Sequence, residues 1–135
     1  MVHAAKARTR IVVFLYLVAL HSLAIGLGLI FLPAVYLKYF GFVNGQSGFF
    51  QAQGGVFHLV MVAAYWMAAR RIDRSSAMVL FSIVAKSMGA VFLLIYFFLV
   101  EQAWIVIVSA LGDGIMAVLI WWLYRQYRIA RQGAP

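Results

Sequence analysis

Apolar residues run almost unbroken through four stretches of the chain, 11–32, 49–69, 77–100 and 104–124. Basic or turn-forming residues separate them. Each stretch has the ~20 residues that a helix needs to cross a hydrocarbon core. The alternation of polar and apolar positions expected of a membrane strand is absent. Pro33 follows the first stretch directly, where a helix should stop. The pattern predicts an all-α polytopic membrane protein: a single domain, 1–135, folded as an antiparallel four-transmembrane-helix bundle. The 101–103 connection is so short that the third and fourth helices must form a hairpin. The 33–48 connection is the only long one. Its part from 34 to 42 is apolar apart from Lys38 and is expected to lie along the membrane interface. Asn44-Gly45 then offers a turn.

Each stretch contains one ionisable or imidazole residue: His21, His58, Lys86 and Asp113. Each lies 11 or 12 positions from the nearest flanking arginine, Arg10, Arg70, Arg74 or Arg125. At ~1.5 Å per residue this is roughly 18 Å from one face, near the centre of a core about 30 Å thick. Charge at that depth is costly and needs a partner or a purpose. Residues three and four apart share a helix face. By that spacing Gln51 and Tyr65 join His58, and Ser82 joins Lys86. Small residues four apart let backbones approach, and Ser22/Gly26, Ala24/Gly28, Ala85/Gly89 and Ala110/Gly114 lie beside the polar positions. The expected ligand-binding set is therefore His21, His58, Lys86, Asp113, Gln51, Tyr65 and Ser82, facing a shared interior. Lys86 and Asp113 are expected to meet as an ion pair.

Composition narrows the function classes. Hydrophobic residues make up 67% and charged residues 10% of the chain, against about 25% charged in a soluble domain. No stretch remains for a soluble catalytic domain. Nine of the eleven lysines and arginines fall in three segments that share one side of such a bundle: Lys6, Arg8 and Arg10; Arg70, Arg71 and Arg74; Arg125, Arg128 and Arg131. Positive-inside bias puts both termini in the cytoplasm. The net charge of +8 reflects topology and attraction to anionic lipid. Because the bases hug span ends, no nucleic-acid partner is expected. The first stretch, at 22 residues, exceeds a signal-peptide core of about 7–15 residues and reads as a retained helix. The absence of cysteine excludes disulfides, iron–sulfur clusters and thiolate zinc sites. No nucleophile–base set, phosphate loop or zincin motif is present, so no catalytic residue is assigned.

Several chemistries fit the polar layer. It can be a structural network of paired groups. It can hold a quinone or a lipid, with histidine and lysine donating to oxygens of the head and the helices enclosing the tail. His21 and His58 can supply axial ligands to haem b. By ligand type alone, His21, His58 and Asp113 suit a metal.

The stretches QAQGGVFHLVMVAAYW (Gln51–Trp66) and GDGIMAVLIWWLYR (Gly112–Arg125), set in this four-span layout, resemble the DoxX-like and BphX-like groups of small bacterial membrane proteins. The resemblance spans most of the chain and rests on layout. It implies a bacterial inner (cytoplasmic) membrane location and adds weight to a quinone, but it carries over no catalytic residue. So small a chain, with little mass outside the membrane, is expected to be an accessory or structural subunit, or an assembly factor, of a larger membrane complex. Its partners would then be other membrane subunits or further copies of itself. A free-standing bundle that binds a quinone or lipid is the alternative.

Overall fold

The computed structural model describes residues 2–43 and 48–133. It contains four long helices, α1 (Val2–Phe31), α2 (Gly48–Arg70), α3 (Ser76–Leu99) and α4 (Trp104–Gln132), with a 3-10 helix (Ala34–Phe40) between the first two. There is no strand among the described residues. All four long helices are long and apolar enough to cross a membrane. Asn44-Gly45 lies outside the described residues.

The helices outrun the apolar stretches at two places. α1 begins at Val2 rather than at 11, and α4 ends at Gln132 rather than at 124. Hydropathy marks the part of a helix that suits lipid, not where the helix ends. Alanine, lysine, arginine and glutamine all favour helix, so both extensions continue the spans as polar turns. α1 stops at Phe31, ahead of Pro33.

The expected interfacial segment is the 3-10 helix. It buries Leu37 and ends at Gly41, whose φ of 92° is left-handed. That φ favours glycine, and a Cβ there would stand 2.9 Å from the Trp104 backbone nitrogen. The Trp104 indole donates to the Tyr39 carbonyl at 3.1 Å, and the Val43 amide donates to Glu101 Oε1 at 2.7 Å. These bonds fasten the segment to the connection between α3 and α4.

Packing is strongest within two pairs, α1 with α2 and α3 with α4. Contacts of α1 with α4, and fewer of α2 with α3, join the pairs. The closest backbone approach is between α1 and α2: a Cβ on Gly55 would lie 2.7 Å from the Gly26 carbonyl oxygen. In lipid, where apolar surface gains nothing by leaving the solvent, such close fits are a main source of helix association. Gly114 of α4 approaches Ala90 of α3 more loosely, at 3.8 Å. The main apolar core gathers Ile11, Leu15 and Val18 of α1 with Tyr65, Ala68 and Ile120. It fills the half of the bundle nearest the arginine-rich segments. The outer surface is apolar: Leu99, Phe31 and Phe92 are 79%, 75% and 62% exposed. That much exposed apolar area suits contact with lipid rather than water.

Candidate functional site

Lys86 and Asp113 meet. Their Nζ and Oδ1 atoms are 2.5 Å apart, with side chains 3% and 16% exposed. α3 and α4 are joined by a short connection, so residues at matched depth on them come face to face. Gly89, one turn beyond Lys86, makes the space. A Cβ on Gly89 would lie 2.8 Å from Asp113 Oδ2, so only a residue without a side chain leaves room for the carboxylate there. Tyr65 of α2 closes the other side, with Lys86 Nζ 5.7 Å from its ring centroid. The ring face is negative and attracts the ammonium. Lysine, carboxylate and ring together make a closed unit in which each charge has its counterpart.

The histidines are arranged differently. His21 and His58 both lie within Coulombic range of Lys86 and Asp113, and of each other. His21, however, is exposed on the surface of α1 and does not face a closed interior. This corrects the expectation of a shared internal cavity. The physical reason is that α1 turns the face of Ser22 and Gly26 towards α2, which leaves the neighbouring His21 at the rim. His58 is half-buried. Its β-carbon lies 3.2 Å from where a Cβ on Gly26 would stand, and its Nδ1 is buried without a hydrogen-bond partner. Ser22 Oγ, on the adjoining turn of α1, is likewise buried and unpartnered.

Two expected members do not join the layer. The Gln51 side-chain amide donates to the Leu32 carbonyl at 2.8 Å, so it ties the start of α2 to the end of α1. Ser82 is buried but turns its hydroxyl to the Met78 carbonyl of its own helix, at 2.9 Å. A buried serine in a helix finds that acceptor one turn back. Helical spacing placed both residues on the right face without revealing these nearer partners.

The three-ligand metal reading fares poorly against this geometry. No three of His, Cys, Asp or Glu gather around a metal-sized space among the described residues. His21, His58 and Asp113 are thus near one another but do not form a ligand shell. α1 and α2 touch through Gly26 and Gly55, with the His58 β-carbon beside Gly26.

A second polar cluster is absent from the sequence-based expectations. Asp73, between α2 and α3, accepts from Arg8 at 2.8 Å and from the Tyr127 hydroxyl at 2.6 Å. Arg131 Nη1 donates to the Asp73 carbonyl at 3.1 Å. One acid thus joins α1, the α2–α3 connection and α4. The hydrogen bond from Arg8, then that from Tyr127, holds the Asp73 carboxyl below the usual carboxylate range. The signal was present in the sequence, because Asp73 is the one acid among the arginine-rich segments.

Comparison with known proteins returns no matching family model, no matching curated protein and no matching solved structure.

Proposed function

We propose that the chain is a multi-pass membrane protein with four antiparallel spans and both termini in the cytoplasm, acting as an accessory subunit of a larger membrane assembly. One observation carries the reading: His21 is exposed on the outside of the bundle at mid-span. Hydrocarbon offers an imidazole no hydrogen bond, and leaving it bare costs several kcal/mol on the order of a lost polar contact. A facing helix with a polar side chain supplies what lipid lacks. Lys86, Asp113, Gln51 and Ser82, by contrast, are satisfied within the chain.

The orientation rests on charge. The arginine-rich segments carry nine bases, and only Lys38 lies on the opposite connections. The location in a bacterial inner membrane belongs to the same reading.

Photo-crosslinking tests the subunit reading. Gly28 lies two turns from His21 on the same face, and a Cβ there meets nothing within 4 Å, so a p-benzoylphenylalanine is accommodated at that position. Crosslinking in intact membranes should give a discrete protein adduct from position 28 and none from Phe92, which is exposed on α3. Lipid adducts alone at both positions would remove the basis for the reading.

The unpartnered Nδ1 of His58 favours a second reading, in which a quinone or lipid head occupies the rim beside His21 and His58. Gently extracted protein should then retain the lipophile, and His58→Phe should release it without unfolding the bundle.

A further inference from the structure

At the arginine-rich end, α3 and α4 enclose two adjoining hollows of different character. One, about 420 Å³, is lined by Arg74, Arg128 and Arg131 with Ser76, and by one acid, Asp73, so arginines outnumber carboxylates there three to one. The other, about 390 Å³, is walled by Leu80, Ile83, Trp121 and Ile129. They share Tyr124, Arg128 and Gln132. A cationic hollow opening onto an apolar one matches an amphiphile with an anionic head.

The charge inventory points the same way. The chain has three acids in all. Asp73 is engaged by Arg8 and Tyr127, Asp113 by Lys86, and Glu101 accepts the Val43 amide next to the 3-10 helix. Arg74 and Arg128 form no ion pair among the described residues. They come from different elements, the α2–α3 connection and α4, and converge on one hollow. Guanidinium groups suit phosphate oxygens through paired hydrogen bonds. Arg125 lies over the Trp121 ring at 5.7 Å, which holds that indole along the apolar hollow.

We propose that an anionic phospholipid binds here, its phosphate between Arg74 and Arg128 and an acyl chain along Leu80, Ile83 and Trp121. The site rests on the proposed membrane-spanning arrangement, in which this end meets the headgroup zone.

Native mass spectrometry of the full chain released from nanodiscs tests it, with phosphatidylglycerol and phosphatidylcholine of identical acyl chains competing. The parent should retain phosphatidylglycerol roughly tenfold better than phosphatidylcholine, because the choline cation of the latter offsets its phosphate and is repelled by the arginines, and tenfold is about 1.4 kcal/mol. Arg74→Gln with Arg128→Gln should bring retention down to the phosphatidylcholine level. Lys6→Gln with Arg10→Gln, which removes as much charge from α1, should leave the preference intact. Equal retention of the two lipids by the parent overturns the proposal, and so does equal loss in both double variants, which marks diffuse attraction. Displacement of the lipid by millimolar inorganic phosphate also overturns it, because the occupant is then a free anion. Melting of each variant at the parent's temperature excludes unfolding as the cause. Failure of the chain to insert into nanodiscs at all contradicts the spanning arrangement itself and is seen before any lipid is scored.

Discussion

The two helix pairs handle their polar residues in opposite ways. In the α3–α4 pair, Lys86 and Asp113 face inward, find each other and are sealed by Tyr65. In the α1–α2 pair the backbones close on Gly26 and Gly55, and the polar groups are left over: His21 outside, His58 Nδ1 and Ser22 Oγ buried without partners. A buried charge forces its own pairing, since an isolated one costs far more than a neutral imidazole or hydroxyl. Neutral groups can wait for a partner from outside the chain. The comparison separates two situations: the ion pair is closed within the chain, and the imidazoles keep hydrogen-bonding capacity that the chain does not use.

The largest expected effect follows from breaking the closed side. Lys86→Met or Asp113→Leu alone leaves a buried charge uncompensated and should cost ~3–5 kcal/mol. The combined variant should lose much less. Thermal unfolding in mild detergent compares the three, and singles that melt like the parent would show the pair to be idle. Gly89→Ala sharpens the same point, because the added methyl would lie 2.8 Å from Asp113 Oδ2 and must displace the carboxylate.

A smaller loss is expected at the crossing of the other pair. The methyl of Gly55→Ala would stand 2.6 Å from Ile30 Cγ1 and 2.7 Å from the Gly26 carbonyl oxygen. The backbones must part, at about 1–3 kcal/mol for overpacking. Gly28→Ala has open space and should be neutral or slightly stabilising. If the two variants unfold alike, the close crossing is not a source of stability.

A small effect is also expected at Asp73, outside the spans. Its folded-state pKa is lowered, first by Arg8 and then by Tyr127. The stabilisation is therefore complete above the unfolded value of about 3.9 and disappears as pH falls through the lower folded value. The side chains of Arg8 and Asp73 are 45% and 42% exposed, so water and salt screen the pair and its worth stays below about 1 kcal/mol. The stability gap between parent and Asp73→Asn should be constant near neutral pH and close only below about pH 4. A gap that widens on acidification would contradict the sign.

Much of this arrangement was legible in the chain. Hydropathy located four helices, Pro33 the end of α1, and matched spacing from the arginines the meeting of Lys86 with Asp113. What hydropathy could not place were contacts set by local geometry. Gln51 and Ser82 sit on the expected faces yet bond to nearby carbonyls. His21 occupies the rim because the Ser22–Gly26 face, not its own, meets α2. Asp73 follows from neither hydropathy nor the bias of the bases, because its three contacts join residues far apart in sequence.

The division between the two helix pairs is tested most directly by one double variant, His21→Leu with His58→Phe, extracted in mild detergent beside the parent. Melting temperature and the proteins and lipophiles that co-purify are read from the same sample. The account predicts an unchanged melting temperature with the bound partner or lipophile lost. A bundle that melts well below the parent, or one that keeps everything the parent carries, would contradict it.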